Sequence, residues 1–170
     1  TGWDDVAGSG PRRGGLAQEA VWLVRTLLQL VPDEPEARGL LALMLYCEAR
    51  RPARRAANGD YVPMSEQDSR LWSAPMLDEA ERALAAAAAQ QRAGRFQLEA
   101  ALQSAHVEGA RRGRVEWSAI AVLYEGLVQV TPTVGALVGR AAAIAVVLFA
   151  AVIPVMVWNI RRFREEEAIR

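Results

Sequence analysis

The sequence predicts an all-α protein built as a stack of antiparallel helical hairpins, with a long hydrophobic helix at its C-terminal end. Apolar residues recur at three- and four-residue steps through most of the chain, as they do on one face of an α-helix. No segment shows the strict alternation that is typical of a half-buried strand. Alanine, leucine and arginine favour helix, and 52% of the 170 residues are hydrophobic.

The first part of the chain is predicted to hold an irregular segment followed by two helices. Residues 1–15 are rich in glycine and turn-forming residues. Helical periodicity begins at Leu16 and stops at the next proline. Asp33 is predicted to cap the second helix, with Glu36 as its reciprocal capping partner. This helix should extend to about Arg51, and because it is apolar nearly all round, it should be central.

Four further helices and a long final helix are predicted from capping and helix-breaking residues. They run from Ser65 to Trp72, Pro75 to Arg92, Phe96 to Gly109, and Glu116 to Val130, with Gly94 stopping the second of them and Thr133 capping the final helix. The stretches "WSAIAVLYEGLVQVTP" and "TVGALVGRAAAIA" have the small and aromatic spacing of a tetratricopeptide-type unit. In this hairpin the predicted facing residues are Trp117, Ile120, Ala121 and Tyr124 on one helix and Val134, Leu137, Val138 and Ala141 on the other.

The connection "RRPARRAANGDYVPMSEQDS", residues 50–69, is the longest non-helical stretch that the sequence predicts. Connections of this length in a compact helical domain are usually functional or disordered. We therefore predict an interaction surface here, with Tyr61 and Trp72 as aromatic anchors, and the alternative is a solvated loop. The residues of this predicted surface are Arg50, Arg51, Arg54, Arg55, Tyr61 and Trp72.

The residues with chemical potential do not form a catalytic, cofactor-binding or metal-binding pattern. His106 is the sole histidine and Cys47 the sole cysteine, so they cannot complete a zinc site of the usual spacing. The sequence contains no glycine-rich phosphate loop and no nucleophile elbow. A formal net charge of zero gives no overall field to attract nucleic acid. We therefore expect a non-enzymatic protein with no cofactor.

Three long stretches carry a resemblance to a known family. They are "LVPDEPEARGLLALMLYCEARRPARRAANGDYVPMSEQDSRLW", "GRFQLEAALQSAH" and "EWSAIAVLYEGLVQVTPTVGALVGRAAAIA". Over about residues 16–145 the chain resembles the C-terminal, tetratricopeptide-like extension of extracytoplasmic-function RNA polymerase sigma factors. The resemblance implies a cytoplasmic, non-catalytic regulatory domain that acts in transcription initiation. Its partners would be RNA polymerase or the DNA- and polymerase-binding regions of the sigma factor, which this chain lacks.

The C-terminal stretch carries a different resemblance. The residues "VVLFAAVIPVMVWNIRRFREEEAIR" are similar to the last membrane helix and tail of sugar-transporter permeases of the ATP-binding-cassette type. The two resemblances meet near "GRAAAIA", so we interpret the chain as a chimera. The expected domains are a helical domain at 16–140, a membrane span at 141–160 and a charged tail at 161–170.

The physical properties of the final helix support a transmembrane interpretation. Ala141 to Trp158 contains no charge, and about 18 residues span ~27 Å, close to a ~30 Å hydrocarbon core. Pro154 is tolerated in a membrane helix, and Trp158 precedes a cluster of arginines, as at a membrane interface. The alternative is a wholly buried helix, which requires a much larger protein around it. The arginines favour a cytoplasmic C-terminus, whereas a polymerase partner requires residues 1–140 to be cytoplasmic.

Overall fold

The structure, a computed structural model, describes residues 11–168 of the chain and the side chains of residues 15–162. Within that part the protein is helical, which confirms the predicted fold class. The six α-helices are α1 (Pro11–Leu30), α2 (Pro35–Ala49), α3 (Ala74–Ala88), α4 (Arg95–Arg112), α5 (Trp117–Val130) and α6 (Val134–Ala168). The chain divides into unit 1, which ends at Val115, and unit 2, which begins at Glu116.

Helix α2 lies at the centre of unit 1 and contacts α1, α3 and α4. Its side chains Leu45 and Tyr46 are fully buried, and they join a core that includes Leu77 of α3 and Val107 of α4. The sequence prediction that this helix is central is therefore confirmed. Five of the other core residues are alanine, which lets the helices pack closely beside larger side chains such as Met44 and Trp72.

Glycine allows α2 and α4 to approach each other at backbone distance. A Cβ atom on Gly39 of α2 would lie 2.7 Å from both the backbone nitrogen and the Cγ of Gln97 in α4. A Cβ atom on Gly94, which directly precedes α4, would collide with the carboxylate of Glu36. Real Cβ atoms do not sit this close to other atoms, so the two glycines are required by the packing.

Three helix starts differ from the sequence prediction. Helix α1 is already formed at Pro11 rather than at Leu16, and residues 1–10 of the predicted irregular segment lie outside the described residues. The residue that caps α2 is Glu34 rather than Asp33, because the Glu34 carboxylate accepts the Glu36 N–H at 3.1 Å. The segment with Ser65 as its predicted cap forms two short 3₁₀ turns instead of one helix.

Glycines in the second half of unit 1 also have different roles from those predicted. Helix α3 ends at Ala88, and Gly94 precedes α4 as its N-cap instead of stopping α3. Helix α4 continues through Gly109, where the close approach of Val115 leaves no room for a Cβ atom. It ends at Gly113, whose φ of 70° places it in the left-handed region that favours glycine.

Unit 2 is an antiparallel hairpin of α5 and α6. The hydroxyl of Thr133 accepts the Ala136 N–H at 3.2 Å, which confirms the predicted cap of the final helix. Tyr124 of α5 lies directly over Gly139 of α6, and Glu125 forms an ion pair with Arg140 at 3.0 Å.

The face that α6 turns toward α5 is not the predicted one. Val134, Val138 and Ala141 are exposed, whereas Ala136 and Ala143 are buried. Small residues on this face let the two backbones come close, and larger side chains would hold them apart. On α5 the predicted Ile120 is fully buried, and Trp117 is only partly buried.

Candidate functional site

The predicted interaction surface, residues 50–69, which we call the basic loop, is a folded turn. Backbone hydrogen bonds join Val62 N–H to Arg54 O at 2.9 Å and Ala56 N–H to Asp60 O at 3.0 Å. Gly59 has a φ of 90°, which only glycine adopts readily, and this conformation closes the tip of the turn. The basic loop is therefore held in one shape by its own backbone.

Side chains stabilise the tip of the basic loop further. The amide oxygen of Asn58 accepts the Asp60 N–H at 3.1 Å, and its NH₂ group donates to the Asp60 carboxylate at 2.6 Å. The Arg55 guanidinium donates to the Gly59 carbonyl at 2.7 Å. Tyr61 forms an antiparallel bridge with Arg55, and its side chain is 53% exposed. Arg55 and Tyr61 thus occupy neighbouring positions on the surface of unit 1.

Two of the six predicted surface residues lie in the interior of unit 1. Arg50 is 6% exposed, donating from Nε to the Tyr46 carbonyl at 3.3 Å and from Nη2 to the side-chain oxygen of Gln103. Burial and the nearby Arg50 charge lower the pKa of His106. Trp72 belongs to the hydrophobic core and is 7% exposed. Arg50 and Trp72 therefore hold the fold together and are not available to a partner.

The other predicted residues remain at or near the surface. Arg51 forms an ion pair with Glu48, whose carboxylate is almost completely buried. Arg51 therefore also contributes to the stability of unit 1. Arg54 and Arg55 are half-buried, and Tyr61 is exposed. Of the predicted set, Arg54, Arg55 and Tyr61 are the residues that a partner could contact.

A surface that the sequence analysis missed lies on α1, and we call it the α1 seam. Its members are apolar and follow the alternating four- and three-residue spacing of a helix that packs on another helix. They are the exposed Leu16, Leu23, Leu27 and Leu30, and Ala20, which is partly buried against the core. The exposed fractions of Leu23 and Leu30 are 58% and 77%, whereas Val21 and Val24 on the adjacent face are buried. Unit 1 therefore covers Val21 and Val24 of α1 and leaves the leucines of the seam exposed.

A buried polar group lies between α2, α3 and α4. Tyr46 is fully buried, and Ser104 donates its hydroxyl proton to the Glu81 carboxylate at 2.9 Å. Burial, and then the neighbouring Glu81, raise the pKa of the Tyr46 phenol. No group of histidine, cysteine and carboxylate side chains that could hold a metal ion occurs among the residues whose positions are described.

Helix α6 is long and apolar enough to cross a membrane. The stretch Val134–Arg162 has a mean hydropathy of 2.6 over its most apolar window, and only 6% of that window is buried. The helix continues through Pro154 without interruption. Near its end the Arg162 guanidinium lies over the Trp158 ring, 5.8 Å from its centroid.

Comparison with known proteins identifies relatives of the chain but not an activity. An uncharacterized protein of Rhizobium meliloti (strain 1021) is 39% identical over 130 residues. The alignment covers 76% of this chain and 31% of that protein, so the chain spans about a third of the length of its relative. No solved structure matches the chain. The model of DUF6596, described as a family of unknown function, matches residues 1–88, and the chain belongs to this family.

Proposed function

We propose that residues 16–140 are a non-catalytic protein-interaction domain of an extracytoplasmic-function RNA polymerase sigma factor, acting in transcription initiation in the cytoplasm. The observation that carries the proposal is the α1 seam, with a row of exposed leucines beside the buried residues Val21 and Val24. Rows of exposed apolar residues on soluble domains mark contact sites for other proteins. The resemblance of three long stretches to the sigma-factor extension supports this particular partner class.

The partner of the seam would be the DNA- and polymerase-binding part of the same longer protein, or RNA polymerase itself. About two thirds of the length of the Rhizobium relative lies outside the part that this chain matches, so a longer protein has material to cover α1. Full burial of a leucine side chain contributes about 1.5–3 kcal/mol. Covering Leu16, Leu23, Leu27 and Leu30 would therefore fix the domain firmly against its partner.

Transcription by an intact sigma factor that carries this domain tests the proposal. Replacing Leu23 and Leu27 together with glutamate should lower transcript yield from the cognate promoter. The melting temperature of unit 1 should stay the same, because neither side chain belongs to its core cluster. Leu71→Glu is the matched control, since Leu71 is 52% exposed but lies outside the seam. An unchanged yield for the seam variant, or an equal loss for the control, would refute the proposed role.

The basic loop provides a second contact in the same proposal. Arg54→Ala with Arg55→Ala should lower transcription, while the free energy of unfolding of unit 1 falls by no more than about 0.5–1.5 kcal/mol through loss of the Arg55–Gly59 hydrogen bond. Arg51 is left unchanged in this variant because its loss would leave the buried Glu48 carboxylate without its ion pair. Normal transcription by the double variant would leave the basic loop as a solvated turn.

A second candidate function, a membrane-anchored protein related to a sugar-transporter permease, is favoured by the exposure of α6. From Leu148 onward the described side chains of this helix are exposed on every side, which suits a lipid environment. We propose that α6 crosses the membrane at about residues 141–160. Sodium carbonate washing of membranes from cells that make the chain should leave it in the membrane fraction, and clean release would refute the span.

The side of the membrane on which unit 1 lies separates the two candidates. A sigma-factor role requires unit 1 to be cytoplasmic, whereas Arg161, Arg162 and Arg164 favour a cytoplasmic C-terminus. Protease added outside intact cells should spare unit 1 if it works with polymerase. Its digestion would refute that role for this chain and leave the span in place.

A further inference from the structure

The contacts within unit 2 fix how far α5 extends along α6. Tyr124 lies over Gly139, and Glu125 is paired with Arg140. Continuing this antiparallel register places Ile120 level with Ala143, and both side chains are fully buried. It also places Trp117, the first residue of α5, level with about Val146. Helix α5 therefore covers one side of α6 up to Val146.

This coverage leaves too little of α6 uncovered to cross a bilayer. Between Val147 and Ile160 there are about 14 residues, or ~21 Å of helix, against ~30 Å of hydrocarbon. Starting the span at Ala141 instead gives about 20 residues and ~30 Å, which matches the membrane. The matching length thus includes a stretch, residues 141–146, that α5 covers in the structure.

Helix α5 cannot follow α6 into the membrane in this register. Glu116 precedes α5 directly, and it would enter ~10 Å below the level of Arg140. A charged side chain at such depth is strongly disfavoured, because even a paired charge loses its hydration there. The Glu125–Arg140 pair, by contrast, would lie at the membrane surface, where both charges keep contact with water.

We propose that unit 2 is a two-state hairpin, an inference that rests on the proposed membrane span. In water α5 packs on α6 as far as Val146. On insertion the first part of α5, residues 117–122, separates from α6, and lipid takes its place beside residues 141–146. The rest of α5 stays on α6 outside the bilayer, where the register places Leu127 level with Ala136 and both side chains are buried.

Two disulfides in a Cys47→Ala background test this proposal. The upper pair, Ile120→Cys with Ala143→Cys, ties down the part of α5 that must separate. The lower pair, Leu127→Cys with Ala136→Cys, ties the part that stays packed and is the matched control. Each full-length chain is oxidised or reduced, mixed with vesicles of phosphatidylcholine and phosphatidylglycerol, and washed with carbonate. The integrated fraction is then measured.

The oxidised upper pair should integrate at least about tenfold less than its reduced form, because the bridge forces Glu116 toward the hydrocarbon. Reduction should restore integration, and the lower pair should integrate equally in both states. Equal integration of the upper pair in both states would overturn the two-state hairpin while leaving the span intact. Release of every reduced chain by carbonate would refute the span and this inference together. Failure of the upper pair to oxidise in water would contradict the register from which the inference starts.

Discussion

The carboxylate of Glu36 should be one of the most important polar groups for the stability of unit 1. It lies on the first turn of α2, yet it binds the start of α4, 60 residues later in the chain. It accepts the N–H of Phe96 at 2.9 Å, the N–H of Gln97 at 3.2 Å and the side-chain amide of Gln97 at 3.1 Å. The first N–H groups of a helix have no partner within the helix, so Glu36 satisfies donors that would otherwise be left unpaired.

Glu36→Ala should therefore destabilise unit 1 by about 2–4 kcal/mol. A hydrogen bond to a charged group contributes about 1.5–3 kcal/mol, and a negative charge at a helix N-terminus adds about 0.3–1 kcal/mol. The three bonds share one carboxylate in a half-buried position, so their contributions do not add fully. A loss of this size is a large part of the 5–15 kcal/mol that holds a typical domain together.

Urea unfolding followed by circular dichroism measures this loss, and amide hydrogen exchange locates it. Phe96 and Gln97 should lose protection first in the Glu36→Ala protein. Asp33→Ala is the matched control: it removes the carboxylate that the sequence predicts as a cap, and it should change stability by less than about 0.5 kcal/mol. Equal effects of the two substitutions, or unchanged protection at the start of α4, would show that Glu36 does not cap that helix.

Three further perturbations address the packing and protonation of the chain. Gly39→Ala should destabilise unit 1 by about 1–3 kcal/mol, because the new Cβ atom meets the backbone of α4. Gly135→Ala places its Cβ atom in open space and should stabilise α6 by up to about 1 kcal/mol. The midpoints of urea unfolding measure both effects, and similar shifts for the two variants would contradict the close approach of α2 and α4. The raised pKa of Tyr46 means that its contribution to stability is complete below pH 10, the usual phenol value, and is lost as the pH rises above it. Ultraviolet titration should show the Tyr46 phenol ionising only above its usual range, and ionisation at pH 10 in the folded protein would refute this. The lowered pKa of His106 means that its contribution to stability is complete above pH 6.5 and is lost as the pH falls below that value. In an NMR titration, a His106 midpoint at or above pH 6.5 would be inconsistent with the buried site.

The helices could be predicted from the sequence because the signals that specify them are local. The spacing of apolar residues predicts that α2 is central, and the residues beside Thr133 predict that it caps α6. The leucines on α1 also recur at alternating four- and three-residue steps, but this spacing does not show which of them unit 1 leaves exposed. The pattern within one helix therefore predicts that the helix forms, even where it does not distinguish the two faces of that helix.

The polar groups could not be predicted because their partners come from distant parts of the chain. Glu36 has the spacing of a local capping partner, but α4 supplies three donors that no local pattern reveals. Arg50 stands in an arginine-rich stretch that favours an exposed position, and hydrogen bonds to the Gln103 side chain and the Tyr46 carbonyl help to make its burial tolerable. Gly109 resembles a helix stop, but its role depends on Val115, which packs against it.

The contact between Glu36 and α4 has a consequence for how the chain is made. At a translation rate of about 5–20 residues per second, the start of α4 is synthesised about 3–12 seconds after Glu36. During that interval α2 can pack against α1 and α3, but the side of α2 that carries Gly39 still lacks α4, which packs there in the complete unit. The family model ends at residue 88, before α4 begins, so a nascent chain of that length is an incomplete folding unit. Unit 1 can therefore complete its fold only after α4, its last helix, has been synthesised.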